Sequence, residues 1–324
     1  MFCPDAEIDG RHADGPFTAA LNQRAPFVDV RGADLRRWIA QPTEGQQQLR
    51  KLLTTHGLVV FRDVQLSPRE HVALVKLANY HAEFDHTRVG VPGGWNAKTG
   101  GIATLPADPE VLCQGNVLLQ DHHGIDSLQL KQLLTYEDEG FHSDGMHNMQ
   151  ERLPVLTSMH CLRAPVAGGE TFFACARLAF SRLDPALQVL CRRLEVHYEY
   201  DEGGGLAIMR KGIVREGRHP QVRTNKGAPG KPPICTVHPL VRTHPETGEE
   251  TLYMSCANIK RMKAEADDEH RLPALDLDTA ASYDLIGTLL HSVTQPPFVH
   301  AHVWQVGDLA IWDNRCALSS CTCP

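Results

Sequence analysis

The tetrapeptide Phe141-His142-Ser143-Asp144 sets an imidazole and a carboxylate two positions apart. On an extended strand, residues i and i+2 project from one face, so both side chains can grip a single metal ion. Two such ligands plus a distant second histidine form the two-His-one-carboxylate triad of non-haem Fe(II) sites, which leaves coordination positions open. The spacing alone is not specific. The chain has 18 histidines; His12-Ala13-Asp14 repeats the pattern, and His81-Ala82-Glu83 and His244-Pro245-Glu246 approach it. Ten cysteines are a second source of ligands, but seven are scattered singly, several inside apolar runs (Cys161, Cys175, Cys191, Cys235). That is the pattern of reduced core thiols, not of a disulfide framework. Cys316, Cys321 and Cys323 cluster without a partner pair at zinc spacing, and read as an incidental cluster in a disordered tail.

Short strands must position these residues. The run 56–61 (His-Gly-Leu-Val-Val-Phe) is apolar and β-branched, and reads as a buried strand. Ser67-Pro68-Arg69-Glu70 then supplies an N-cap, a proline at the first helical position and a glutamate at N3, a capping box that opens a helix to about residue 79. Beyond residue 130 the strand candidates are 155–162, 170–174, 194–200, 234–242, 251–255, 298–304 and 308–312. Helical patches start at Asp184-Pro185 and span about 279–293. Many short strands with few helices favour a sandwich, barrel or jelly roll. Residues 1–50 read as a wrapping segment. Residues 201–233, with seven Lys/Arg against three acids, read as a loop insertion, either a lid over an anionic substrate or a solvated loop. No repeat or linker divides the chain, so 1–324 is expected to be a single elaborated domain.

At 42% apolar and 22% charged, the 324 residues can bury a sizeable core. A net charge of -7 gives no electrostatic footprint for nucleic acid. No stretch approaches eighteen consecutive apolar residues, and the acidic, proline-bearing N-terminus does not have the form of a secretory signal. The expectation is a cytoplasmic protein whose partner is a small molecule, not nucleic acid or a membrane.

Five blocks, taken in order, closely resemble the TauD/TfdA-like dioxygenases. HGLVVFRDVQLSPREH from residue 56 is similar to the first core strand and helix of that family, and FHSDG to its His-x-Asp strand. LRAPVAGGETFFA (162–174), VHPLVRTHPETGEETLYMS (237–255) and VWQVGDLAIWDNR (303–315) follow in the family's order. The resemblance implies a mostly β fold with flanking helices, built on a double-stranded β-helix (jelly roll). It also implies Fe(II), 2-oxoglutarate as co-substrate, and coupling of 2-oxoglutarate decarboxylation to hydroxylation of a small polar or anionic molecule. On this likeness His142 and Asp144 are metal ligands, and Thr171 would hydrogen-bond a co-substrate carboxylate. Asn116 would lie near the substrate, although a Gly-Asn pair is also a plain turn. His147 could line the pocket mouth or sit in a solvated loop. Trp312, Asp313 and Arg315 look structural.

The pattern breaks near the end. Family members continue Trp-Asp-Asn-Arg-x-x-x-His, and that histidine is the third iron ligand; here Ser319 takes its place. A hydroxyl is a poor Fe(II) ligand beside imidazole. The family's next strand carries an arginine that clamps the co-substrate, and this sequence stops at Pro324. The expectation is a chain lacking its C-terminal strand, through a changed reading frame or alternative end, with weak iron and 2-oxoglutarate binding and impaired turnover. His300, His302 or Cys321 are the candidate substitutes. The alternatives are a catalytically inactive protein on the same scaffold, used for binding or regulation, and an unrelated cupin-like or zinc-binding protein.

Overall fold

Leu58-Val59-Val60-Phe61 forms a strand whose four residues are all buried, so it must be covered on both faces. It lies inside a six-stranded sheet of order Ile8–Gly10, Phe17–Leu21, Val28–Arg31, Leu58–Phe61, Leu309–Asp313, Leu156–His160. Neighbours run antiparallel except Val28–Arg31 beside Leu58–Phe61, which are parallel. The computed structural model describes residues 8–10, 17–21, 26–78, 103–130, 140–146, 154–200, 234–256 and 258–321.

One face of this sheet packs on the helices Leu35–Ala40, Pro42–His56 and Pro68–Ala78, through Trp38, Leu49, Leu53 and Leu74 against Val59, Phe61 and Ile311. Each fully buried large apolar side chain stabilises by roughly 1.5–3 kcal/mol. The first two helices approach so closely at Gly45 that a Cβ there would sit 2.4 Å from the Trp38 carbonyl oxygen. The opposite face packs on a smaller sheet of order Val299–His302, Thr171–Cys175, Ala317–Cys321, all antiparallel. Between the sheets, Leu58, Val60, Ala310 and Trp312 meet Phe173, Cys175 and Ala317. A third sheet, Ile234–Pro239, Glu195–Tyr200, Ile259–Ala264 and Leu275–Leu277, shares another core with the helix Thr279–Val293. The architecture is mostly sheet with flanking helices, and among the described residues the two facing sheets do not close into a barrel.

All seven expected strands are realised in whole or part, and the expected helices form at Pro68–Ala78, Pro185–Arg193 and Thr279–Val293. The capping box is present: Glu70 N donates to Ser67 Oγ at 3.3 Å, and Ser67 N to Glu70 Oε2 at 2.7 Å. Three expectations are corrected. His56 ends a helix instead of starting a strand, because Gly57 at φ 74 turns the chain before Leu58. The segment 1–50 does more than wrap: it contributes a core strand and helices whose buried stripe (Gly45, Leu49, Leu52, Leu53, His56) has helical spacing. Cys316 is 2% exposed, and Ala317–Cys321 is a paired strand, not disordered tail. The 201–233 insertion and His147 lie outside the described residues. No helix among the described residues is long and apolar enough to cross a membrane.

Candidate metal and co-substrate site

His142 sits in a single bridged position, not in a regular strand. On one side its N donates to Ser319 O at 3.0 Å and Ser319 N donates back to His142 O at 2.9 Å. On the other, Ser143 N donates to Met254 O at 3.0 Å and Cys256 N to Phe141 O at 3.3 Å, which brackets a bridge between His142 and Ser255. The segment therefore extends the smaller sheet beyond Ala317–Cys321. Directly opposed residues share a face, so His142, Ser319 and Phe173 (which pairs with Ser319) all point the same way, into the inter-sheet space.

The His142 ring is oriented by its own loop. Nδ1 lies 2.8 Å from Gly140 O, which can only accept, so Nδ1 carries the hydrogen and Nε2 presents its lone pair. Asp144 Oδ1 stands 3.4 Å from that Nε2. Two acceptor atoms this close repel unless a proton or cation lies between them. The other carboxylate oxygen is spoken for: Thr157 Oγ1 donates to Asp144 Oδ2, and Asn314 Nδ2 donates to Thr157 Oγ1 at 2.8 Å. Asn314 Oδ1 also receives Asp144 N at 3.4 Å. The His142 side chain is 14% and that of Asp144 28% exposed, so the pair opens toward solvent.

Thr171 is buried in the strand beside Ala317–Cys321, opposite Cys321, and so lies one strand over and two residues along from Ser319. Strand rise and spacing make that separation about 8 Å between Cα atoms, on the same face. Trp304 Nε1 donates to Thr171 Oγ1 at 3.0 Å. An indole N–H only donates, so the Thr171 oxygen is the acceptor here and its own hydrogen points elsewhere. Behind it, His302 pairs with Thr171 across the strands and stacks edge-on to Trp304 at 4.5 Å. Its Nε2 is 3.1 Å from Asp308 Oδ2 but off the hydrogen-bonding direction, and burial first, then Arg62, pulls its pKa down to about 4. Asp308 instead accepts from Arg62 at 2.7 Å and from Gln305 N at 2.8 Å.

A second cluster of ligand types, His244, Asp313 and Cys316, is buried and compact. Its hydrogen bonding fills it. His244 Nδ1 accepts from Glu246 N and Thr247 N at 3.3 Å each, so Nε2 carries the hydrogen toward Asp313 Oδ2 at 3.2 Å. Arg315 binds both Asp313 oxygens and holds that carboxyl below its ordinary pKa against the burial that would raise it. This is a structural ion pair, as the sequence suggests for Asp313 and Arg315, and it accounts for the near-miss at His244. Asn116 lies in an exposed bend between the strands Leu112–Cys113 and Leu118–His122. Thr157, Asn314 and Trp304 were not singled out as site residues by the sequence; only Asn314 carries a signal, through its place after Trp312-Asp313.

His142 and Asp144 fit a divalent metal at two positions. The inward-facing residue paired with His142 is Ser319, 4% exposed, and its hydroxyl does not complete a three-ligand Fe(II) set.

A sequence model of the taurine catabolism dioxygenase TauD, TfdA family matches residues 15–318. Among curated proteins, the chain is 28% identical over 187 residues to an (S)-phenoxypropionate/alpha-ketoglutarate-dioxygenase of Sphingobium herbicidovorans, covering 56% of each chain. It is 31% identical over 171 residues to an alpha-ketoglutarate-dependent sulfate ester dioxygenase of Pseudomonas putida, covering 51% of this chain and 48% of that one. The chain thus spans about half the length of the curated relatives it matches. Its fold is similar to a taurine dioxygenase from Burkholderia xenovorans (TM-score 0.60, 22% identity, covering 94% of this chain and 82% of that one). It is also similar to AAD-2 in complex with Mn(II) and N-oxalylglycine (TM-score 0.58, 17% identity, covering 94% and 90%).

Proposed function

This chain belongs to the TauD/TfdA dioxygenase family, and from that premise we propose that its scaffold is that of an Fe(II)/2-oxoglutarate-dependent dioxygenase acting on a small polar or anionic molecule. The observation that carries the reading is the approach of His142 Nε2 and Asp144 Oδ1 to 3.4 Å, with the ring tautomer set by Gly140. Relatives named for phenoxypropionate and sulfate ester substrates support an anionic substrate class. When bound, the metal would supply dioxygen chemistry coupled to decarboxylation of 2-oxoglutarate. The chain's own residues bind and orient. His142 and Asp144 would hold the metal, and the Asn314–Thr157 relay keeps the Asp144 carboxylate turned toward it. Thr171, fixed by Trp304, would donate to the far carboxylate of the co-substrate. Asn116, in its exposed bend, would contact the substrate. The two facing sheets are read as the jelly roll of the family, in one domain.

Ser319 favours a second reading, a protein that keeps the scaffold for binding or regulation with little or no turnover. A 2-oxoglutarate decarboxylation assay on this chain and on Ser319→His separates the two. Turnover restored by Ser319→His and lost again on His142→Ala supports the enzyme scaffold. No turnover in any folded form supports the non-catalytic reading.

A further inference from the structure

We propose that Arg242 is a specificity-determining residue of the candidate site, whose guanidinium takes the carboxylate or sulfate group of a small anionic substrate. The inference rests on the dioxygenase reading of the scaffold and deepens it, by naming the residue that selects an anion.

Register places Arg242 on the face of the candidate ligands. The bridge between His142 and Ser255, with Ser143 N donating to Met254 O at 3.0 Å, sets Asp144 opposite Tyr253. Opposed residues share a face, as do residues two apart, so Tyr253 lies on the face of His142 and Asp144. Tyr253 N donates in turn to Leu240 O at 2.8 Å, and Arg242 pairs with Thr251. Arg242 is therefore diagonal to Tyr253 on that same face, and its guanidinium carbon stands 4.4 Å from the centre of the Tyr253 ring. Thr171 occupies the opposite end of this row. Four strand spacings, about 19 Å, separate it from Arg242, with His142 and Asp144 between them. Thr171 serves the co-substrate end, and Arg242 is left for the substrate.

What distinguishes this arginine is a missing counter-ion. Arg62 is held by Asp29 and Asp308, Arg177 by Glu249, and Arg315 by Asp313 and Glu246, all within 2.9 Å. Among the described residues no carboxylate pairs with Arg242, and its buried Nε has no hydrogen-bond partner. Burial pulls its pKa down, with only Tyr253 acting in the other direction. The ring beneath it is 1% exposed, and the Tyr253 hydroxyl is likewise unpartnered. An aromatic face supports a cation without using its N–H donors. A partly desolvated cation in this state is costly, and an incoming anion offsets that cost. Arg242 is partly exposed, as are the His142 and Asp144 side chains, so the anion reaches it from solvent. The planar fork of a guanidinium matches paired carboxylate or sulfate oxygens.

The test is a calorimetric titration of the metal-free full chain with (S)-2-phenoxypropionate and with its neutral amide, on wild type, Arg242→Gln and Arg242→Lys. One charge-assisted hydrogen bond corresponds to at least about tenfold in affinity. Wild type is expected to prefer the acid to the amide by at least about tenfold, and Arg242→Gln to lose that preference. Arg242→Lys should recover only part of it, since the charge stays and the fork is lost. Millimolar 2-oxoglutarate should not displace the acid. The proposal is overturned if wild type binds acid and amide equally or binds neither, or if Arg242→Gln holds the acid within about twofold of wild type. It is equally overturned if 2-oxoglutarate displaces the acid, which would assign Arg242 to the co-substrate. Should Arg242→Gln not fold, the wild-type preference, the 2-oxoglutarate competition and Arg242→Lys decide. Binding is read without metal or turnover, so an absence of decarboxylation in Ser319→His would refute the reading beneath the proposal while leaving anion binding in place.

Discussion

Replacing Thr157 by Val keeps the shape of the side chain and deletes one oxygen that works in two directions. That oxygen donates to Asp144 Oδ2 and accepts from Asn314 Nδ2 at 2.8 Å. A hydrogen bond to a charged carboxylate contributes about 1.5–3 kcal/mol, and a neutral one about 0.5–1.5. Neither is lost in full here. The Asp144 side chain is 28% exposed, so water can take the vacated oxygen, and Asn314 Nδ2 keeps the Pro154 carbonyl at 3.3 Å. The stability loss in the metal-free protein should therefore be modest, about 1–2 kcal/mol. The larger effect falls on metal affinity, because the relay holds Asp144 so that Oδ1, not Oδ2, faces His142 Nε2. Freed to rotate, the carboxylate must be re-ordered at each binding event, and the affinity for Co(II) should fall about 10–100-fold, which is roughly 1.4–2.7 kcal/mol. Calorimetric titration to millimolar metal measures the affinity, and urea denaturation of the same preparations measures the stability. A Thr157→Val protein that loses stability as expected yet binds Co(II) within about twofold of wild type would refute the orienting role of the relay.

Two further outcomes follow from buried polar groups: the Arg62–Asp308 pair and His302 behind Thr171, and His71 on the helix Pro68–Ala78, whose Nε2 lies 2.8 Å from Ser158 Oγ. Asp308→Ala should destabilise by about 1–3 kcal/mol, since Arg62 loses one of its two carboxylates while keeping Asp29 at 2.7 Å, and the Gln305 N–H loses its acceptor. A fall in the urea midpoint at unchanged m-value checks this, and a loss below about 1 kcal/mol contradicts it. Acid sensitivity is set by His71 and His302, each held neutral by burial with a pKa pulled down to about 4. Unfolded histidine titrates near 6.5, so below that pH the unfolded chain takes up protons that the folded chain refuses. Stability is full above about pH 6.5 and drains away toward pH 4, by at most about 3 kcal/mol for His71. Denaturation compared at pH 7 and pH 5 should show the loss, and equal or higher stability at pH 5 would contradict it.

The parts of the fold legible in the sequence are those with a local physical signature. Ser67 and Glu70 cap each other within four residues, and Asp278 caps a helix whose apolar face repeats at helical spacing, so both helices could be placed without knowing the rest. The apolar run 58–61 could only be a covered strand. What escaped lacks such a signature. The helix Pro42–His56 opens with Pro-Thr-Glu-Gly-Gln-Gln-Gln, and its buried stripe carries no apolar side chain until Leu49. The strand Ala317–Cys321 reads Ala-Leu-Ser-Ser-Cys, with Leu318 its one large apolar residue, and it is specified by the edge of Thr171–Cys175 more than by its own propensities.

The same division runs through the site. His-x-Asp spacing identified the pair of candidate ligands, but for the wrong local reason, since His142 lies in isolated bridges and Gly145 at φ 75 turns the chain straight after Asp144. The convergence of the two side chains comes from neighbours on both sides, Ser319 and Ser255, which a single bridged residue joins. A motif could name residue 319 as the place where a histidine is missing; only the pairing with His142 shows that whatever stands at 319 shares the face of the candidate ligands. That geometry sets 319 apart from the other departures, because its backbone pairs directly with that of His142.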